Sequence, residues 1–157
     1  MNGTSSSGKS EIARALKPIL PASFCYFSSD QLAEAGFRAA DVSPAARLRF
    51  FDGFHRAVGA FASVGNDLLV EHIVEEMQWA TDLANMLAVY DVFWVGVHCD
   101  LALLEKREAQ RGDRAIGEAR FHMKTHQFQD YDFEVDGSQE ACINAQMIKD
   151  TWEGRNL

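Results

Sequence analysis

Short apolar runs alternate along the chain with stretches in which apolar residues recur at helical spacing. The clearest run covers residues 92–97 (VFWVGV), and its nearly continuous apolar character is typical of a strand in the middle of a parallel sheet. Residues 24–27, 68–74 and 132–136 predict three further strands. Strands that alternate with helices indicate βαβ units, so the pattern predicts an α/β fold with a central parallel sheet.

Amphipathic spacing predicts the helices that connect these strands. Ser43 is a suitable N-cap residue with Pro44 at the first helical position, and Gly65 is a suitable end for that helix. The predicted helices cover residues 10–20, 31–35, 44–64, 78–89, 101–111, a stretch that ends near 128, and 138–152.

Length and charge narrow the classes of function. A chain of 157 residues predicts a single domain over residues 1–157. The formal net charge of −8 argues against nucleic acid as a partner, because binding a phosphate backbone needs a basic surface. No apolar run approaches the roughly 18 residues that span a bilayer, so we expect no membrane insertion. Three widely spaced cysteines favour a reducing, cytoplasmic environment.

The first ten residues, MNGTSSSGKS, contain the phosphate-loop (P-loop) pattern G-x-x-x-x-G-K-[ST]. In such a loop, backbone N–H groups and the N-terminus of the following helix bind phosphate. We expect Lys9 to reach the β- and γ-phosphates of ATP, and the Ser10 hydroxyl to ligate Mg²⁺. The alternative is a flexible Ser- and Gly-rich terminus. The predicted nucleotide-binding residues are Gly3, Thr4, Ser5, Ser6, Ser7, Gly8, Lys9 and Ser10.

The strand that normally precedes a P-loop is not apparent in the sequence. Only Met1 and Asn2 stand before the loop. The sheet would then lack its first strand, and this loss would leave a gap between two strands, with unpaired backbone groups and apolar side chains exposed on both sides. Our hypothesis is that the sequence begins late, so that an apolar segment would belong before Met1.

Two acidic positions stand at predicted strand ends, where ligands bind in open α/β sheets. Asp30 follows the second predicted strand and could accept a proton from a substrate hydroxyl, or it could cap the helix predicted at residues 31–35. Glu71, followed by His72, interrupts an apolar strand; alternation puts the two on opposite faces of the sheet or at its end. Glu71 could hold Mg²⁺ directly or through water, or it could simply mark a partly exposed strand end.

Three arginines surround a Gly-containing turn. Arg111 and Arg114 are the ends of the sequence RGDR, and Arg107 lies four residues before it. A lid over residues 107–120 could place Arg111 and Arg114 on the transferred phosphoryl group. The alternative is a solvated helix face paired with Glu105 and Glu108.

Several segments together resemble the chloramphenicol phosphotransferase family of P-loop kinases. The matching segments lie in the same order over most of the chain: NG with Ser6 and GKS at the start, SDQL at 29–32, WVGV with CD at 94–100, RE at 107–108, RGDR at 111–114, and H, YD and EVD between 126 and 136. The stretch between Asp30 and residue 68 looks shorter than in the chloramphenicol-modifying member, and Glu71-His72 replaces paired aspartates.

The resemblance implies a three-layer kinase fold and ATP-dependent phosphorylation of a hydroxyl on a small molecule, with Mg²⁺ and with Asp30 as the catalytic base. The acceptor remains open: chloramphenicol, another metabolite or a nucleoside all fit. The rival from another class is a nucleotide-binding module without transfer activity. The oligomeric state also stays open, with a homo-oligomer as one option.

Overall fold

A computed structural model describes residues 1–111 and 117–155 and has a parallel sheet at its centre. Strands β2 and β3 pair in one half of the sheet, whereas β1, β4 and β5 pair in that order in the other half. A bridge from Asn2 to His72 connects the halves, together with hydrogen bonds from the Met1 ammonium to the Val70 carbonyl at 2.6 Å and from the His72 amide to the Met1 carbonyl at 3.1 Å. The strands of the described residues are β1 (Asn2–Gly3), β2 (Phe24–Ser28), β3 (Asp67–Glu71), β4 (Val95–His98) and β5 (Phe133–Asp136).

The helices connect these strands as the alternating pattern predicts. Short 3₁₀ turns follow the first and sixth helices at Lys17–Ile19 and Met123–Gln127, and a π-helical turn at Ala33–Phe37 follows the second. The helices are α1 (Lys9–Leu16), α2 (Ser29–Leu32), α3 (Pro44–Ser63), α4 (Met77–Leu87), α5 (Leu101–Arg111), α6 (Glu118–His122) and α7 (Ala141–Gly154).

Two apolar clusters lie on opposite sides of the sheet and make the fold three-layered. On one side, Ile12 and Leu16 of α1 pack with Val97 and with Ile148 of α7. On the other side, α3 and α4 cover the sheet, and the ring of Phe54 stacks on that of Phe27 with 5.4 Å between centroids. The predicted three-layer α/β architecture with a parallel sheet is therefore confirmed. No helix within the described residues has both the length and the apolar character needed to cross a bilayer.

Local chemistry explains where several elements begin and end. The Ser43 hydroxyl accepts a hydrogen bond from the Ala46 amide at 3.2 Å, and Pro44 opens α3, as predicted. Pro18 lies in the 3₁₀ turn after α1, which shortens the helix predicted over residues 10–20. Strand β3 stops at Glu71, earlier than predicted, and the chain beyond it turns so that the Val74 amide bonds the Asn2 side chain.

The strand before the P-loop, which the sequence pattern did not reveal, is present as the two residues Asn2 and Gly3. It lies between the two halves of the sheet, pairing with β4 and bridging to His72. Beside Met1, an apolar cleft of about 420 Å³ lies between residues 68–70 of β3 and residues 92–95.

Candidate active site

The P-loop leads from β1 into α1 through a sharply curled backbone. Ser6 has a φ of 63° and Gly8 a φ of 97°, the left-handed region that lets successive N–H groups turn inward. The Gly8 carbonyl then accepts the Glu11 and Ile12 amides at 3.1 and 3.0 Å, which starts α1. The loop therefore has the form of an anion-binding cradle at a helix N-terminus.

Two buried hydroxyls of this loop test whether it fits a phosphate. Ser6 Oγ and Ser7 Oγ are buried and have no hydrogen-bond partner within the described part of the chain. Both residues line a pocket of about 460 Å³. Because unpaired buried polar groups cost free energy, a ligand rich in acceptor oxygens suits this surface. The residues present thus fit the phosphates of a nucleotide.

Lys9 and Ser10 open the helix beside this pocket. The Lys9 ammonium donates to the Thr4 carbonyl at 2.7 Å, and its side chain is buried against the loop. Ser10 Oγ donates to Glu71 Oε1 at 2.6 Å. The structure therefore brings Glu71 of β3 directly to the P-loop serine.

Asp30 lines the same pocket. It is exposed and stands in the first turn of α2, whose N-cap residue is Ser28. The interpretation of Asp30 as an N-cap is therefore wrong. The pocket brings together the loop residues Ser5–Ser10, the acidic residues Asp30 and Glu71, and also Glu11, Arg14, Ser28, Ser29, His72, Ile73, Arg107 and Gln110.

Glu71 and His72 are both buried and point to opposite faces of the sheet, so the interpretation of a partly exposed strand end is wrong. Glu71 faces α1, whereas His72 faces α3, where its Nε2 lies 3.0 Å from His55 Nε2. His72 Nδ1 lies 3.1 Å from Ser29 Oγ. Burial first, and the His55 charge second, hold the pKa of His72 well below its usual value.

The described residues contain no group of three or more His, Cys, Asp or Glu side chains that could hold a metal ion by themselves. Mg²⁺ usually keeps several waters and binds through one or two protein oxygens together with substrate phosphates. Ser10 and Glu71, adjacent at the phosphate pocket, fit that kind of site.

Two residues that support the P-loop were not predicted in this role. Arg107 of α5 donates to the Ser6 carbonyl at 3.3 Å and to the Gly137 carbonyl at 3.0 Å. A Cβ placed on Gly137 would lie 1.9 Å from the Ser7 carbonyl oxygen, so only glycine allows the loop to approach the end of β5. Its position directly after a predicted strand was the available signal, since ligand sites gather at that sheet edge.

Of the two predicted lid arginines, the structure describes only the backbone of Arg111. Arg111 is the last residue of α5, one turn beyond Arg107. The side chain of Arg111, and Arg114 entirely, lie outside the described residues.

Asn2 anchors the start of the loop to the rest of the sheet. Its side-chain amide donates to the Tyr131 hydroxyl at 2.8 Å, and its carbonyl oxygen accepts the Val74 amide at 2.9 Å. Thr125 Oγ1 also lies 2.9 Å from this oxygen. A buried asparagine thus holds the short β1 in register.

Solved structures with a similar architecture include two kinases and an antibiotic resistance protein. The Mycobacterium tuberculosis APS kinase CysC in complex with AMPPNP and APS has a TM-score of 0.72 at 20% identity, with 97% of this chain and 94% of that chain covered. The Deinococcus radiodurans tunicamycin resistance protein gives 0.69 at 16% identity, covering 95% and 91%. A gluconokinase from Sinorhizobium meliloti gives 0.61 at 14%, covering 99% and 94%. At these identities the likeness shows the fold alone.

Sequence comparison identifies relatives and a family. The protein "Putative O-phosphotransferase Rv2636" of Mycobacterium tuberculosis (strain H37Rv) is 30% identical over 83 residues. That match covers 52% of this chain and 37% of the relative. The family model described as "Chloramphenicol phosphotransferase-like protein" matches residues 1–153. The resemblance seen in the sequence motifs is thereby confirmed, and the chain belongs to the chloramphenicol phosphotransferase-like family of P-loop kinases.

Proposed function

We propose that the protein transfers the γ-phosphate of ATP to a hydroxyl group of a small molecule. The observation that carries this proposal is the single pocket in which the P-loop, Glu71 and Asp30 meet. The loop offers curled backbone and serine hydroxyls to phosphates, and Asp30 offers a carboxylate to an acceptor.

In the proposed reaction, Asp30 accepts the proton of the acceptor hydroxyl as its oxygen attacks the γ-phosphorus. The bond from the γ-phosphorus to the bridging oxygen breaks, and ADP leaves. Lys9 neutralises charge on the phosphates, and Arg111 and Arg114 are proposed to do so from the lid. Mg²⁺, held by Ser10 and Glu71 beside the phosphates, would supply further charge neutralisation when bound. The protein's contribution is mainly orientation and electrostatics.

The acceptor side of the pocket is built from Ser28, Ser29, Asp30, His72 and Ile73. Its hydroxyls and its one carboxylate suit an acceptor with several hydroxyl groups. Chloramphenicol is the first candidate because of the family. The structural neighbours add adenosine 5′-phosphosulfate, gluconate and tunicamycin to a rational panel.

The test is incubation with ATP and Mg²⁺ over this panel and a wider set of alcohols and nucleosides, with products detected by mass spectrometry. A mass gain of one phosphate on an acceptor supports the proposal. Binding of ATP with no phosphorylated acceptor across the panel would favour the nucleotide-binding module.

The role of Asp30 is tested with Asp30→Asn, which keeps the shape of the side chain and removes its basicity. We expect ATP affinity to stay within about twofold and phosphoryl transfer to fall by about 10²- to 10⁴-fold, the usual contribution of a general base. Transfer at the parent rate would show that another group, or water, takes the proton.

A further inference from the structure

A hydrogen-bond chain joins β2, β3 and α1 beneath the phosphate pocket. Glu71 accepts one hydrogen bond on each carboxylate oxygen: Ser10 Oγ donates to Oε1 at 2.6 Å, and Tyr26 Oη donates to Oε2. Ser10 and Glu71 line the pocket, whereas Tyr26 does not. Tyr26 thus reaches the pocket through its hydrogen bond to Glu71 rather than by lining it.

The strand register explains how Tyr26 reaches Glu71. In the parallel pair of β2 and β3, Tyr26 stands opposite Leu69 and Ser28 opposite Glu71. Tyr26, Leu69 and Glu71 therefore share the face of the sheet that packs on α1. The long tyrosine side chain spans the diagonal to Glu71, a distance that aromatic side chains can bridge.

The surroundings of Glu71 favour a fixed orientation of its carboxylate. The carboxylate is buried, and the Ser10 and Tyr26 hydroxyls each donate a hydrogen bond to one of its oxygens, so its orientation depends on these two donors.

The geometry also fixes the direction of the Ser10 hydroxyl. Its one proton is used by Glu71, so its lone pairs are left for a cation on the pocket side. If Glu71 Oε2 lost the hydrogen bond from Tyr26, the Glu71 carboxylate could rotate and would no longer hold the Ser10 hydroxyl in this direction. Outer partners of metal ligands commonly tune metal affinity in this way.

We propose that Tyr26 is a positioning residue, which holds the Glu71 carboxylate so that the Ser10 hydroxyl oxygen faces the Mg²⁺ of bound MgATP. This inference rests on the proposed function. Tyr26 itself touches neither nucleotide nor acceptor.

The experiment compares the parent with Tyr26→Phe, which keeps the ring packed and removes only the hydroxyl. Mn²⁺ replaces Mg²⁺ as a paramagnetic probe, and its binding to the protein with AMPPNP is measured by electron paramagnetic resonance. We expect Tyr26→Phe to need about tenfold more Mn²⁺ for half-saturation, in line with lost outer partners of metal ligands. Affinity for AMPPNP in EDTA should not change. Tyr90→Phe removes a hydroxyl three residues beyond α4, on a residue that does not line the phosphate pocket, and serves as the matched control.

The outcomes separate the two claims. If the parent binds Mn²⁺ with nucleotide and Tyr26→Phe binds it equally well, the positioning role is overturned, even if the variant is less thermostable. If Tyr26→Phe weakens AMPPNP binding equally with and without metal, Tyr26 supports the loop rather than the metal, and the inference also fails. A parent that binds no metal–nucleotide complex would overturn the proposed function and this inference with it.

Discussion

At the scale of single residues, the P-loop depends on a close approach between two backbones. The Ser7 carbonyl lies against Gly137 at the end of β5, and Gly137 in turn donates its amide to the His98 carbonyl at 2.6 Å. The loop is therefore shaped by contacts with a distant turn as well as by its own glycines. A side chain at position 137 would have to displace the Ser7 backbone, and backbone moves less easily than the end of a flexible side chain.

Gly137→Ala tests this packing. We expect a loss of about 1–3 kcal/mol in the free energy of unfolding, as for other overpacked sites, and at least tenfold weaker AMPPNP binding because the loop must shift. Chemical denaturation and isothermal titration calorimetry measure the two effects. Gly53→Ala is the control, since a Cβ there meets nothing within 4 Å and alanine suits the α3 helix better than glycine. A Gly137→Ala protein with the parent's affinity would show that the approach is not required.

The buried imidazole pair predicts how stability depends on pH. Burial lowers the pKa of both His55 and His72, so the folded protein keeps them neutral where the unfolded chain would protonate them. Above about pH 6.5 these histidines are neutral in both the folded and the unfolded protein, so they do not reduce the free energy of unfolding. As pH falls below that value, stability should decrease by about 1.4 kcal/mol per pH unit for each proton that only the unfolded chain binds.

Urea unfolding at pH 7.5, 6.5 and 5.5 measures this loss. His126, whose pKa burial lowers to about 4, should add to the same decline. His55→Gln removes one titrating group and should flatten the slope. A free energy of unfolding that stays constant from pH 7.5 to 5.5 would mean that these imidazoles titrate normally.

At the scale of secondary-structure elements, helix α5 holds the P-loop in place through Arg107. Arg107 bridges the loop carbonyl of Ser6 and the β5–α7 turn at Gly137, and it lines the phosphate pocket. Glu108, one residue further, is buried and accepts the Gly117 and Ala119 amides at 2.7 and 2.8 Å. One helix thus fixes both the P-loop and the start of α6.

Arg107→Ala should therefore weaken AMPPNP binding by about tenfold, the effect of losing roughly 1.4 kcal/mol of charge-assisted hydrogen bonding. The affinity of Arg107→Lys for AMPPNP should lie between those of the parent and of Arg107→Ala, because one compact ammonium cannot span both carbonyls. Arg56→Ala removes an exposed arginine paired with Asp52 on α3 and should bind as the parent does. Isothermal titration calorimetry measures these affinities. Equal AMPPNP affinity of the parent and all three variants would show that Arg107 does not hold the loop in its binding form.

Element types followed well from the sequence, because strong periodicity and cap residues report local preferences. Strand β4, helix α3 with its Ser43 cap and helix α5 were all predicted close to their observed positions. Contacts set by the tertiary fold were harder to foresee. The bond from Arg107 to Ser6 spans 101 positions, and that from Tyr26 to Glu71 spans 45, so no local pattern could reveal either.

The same distinction applies to the candidate site. The P-loop pattern and the carboxyl-edge positions of Asp30 and Glu71 were readable, since these signals depend on short spacing and on where strands end. Whether Asp30 capped a helix depended on one turn of α2, which local propensity could not resolve. The contact between Glu71 and Ser10 depended on how α1 packs on β3, which is set by the tertiary fold.

At the scale of the whole molecule, the two halves of the sheet meet over a short stretch at its centre. Asn2 and Gly3 form β1, and the Asn2–His72 bridge and the hydrogen bonds of Met1 with Val70 and His72 connect this segment to the half that contains β2 and β3. The cleft beyond Met1 runs through the sheet, from Leu16 and Phe24 on one side to Phe54 and Val58 on the other. Its walls are strand edges and apolar side chains, so its shape and chemistry suit an extended apolar strand parallel to its neighbours.

Joining four β-branched residues, such as Val-Ile-Val-Val, to the amino side of Met1 tests this directly. Each side chain placed in the cleft gains about 1.5–3 kcal/mol from burial, and ordering each backbone residue costs about 1–2 kcal/mol. A net gain of about 2 kcal/mol would raise the melting temperature by roughly 4–8 °C in a chain of this size. Differential scanning calorimetry measures the change, with a Ser-Gly-Ser-Gly extension as the control for added length. Equal melting temperatures for the two extended proteins would show that the cleft does not accept a strand, whereas a rise for the apolar one alone would show that this cleft is where the sheet can still gain stability.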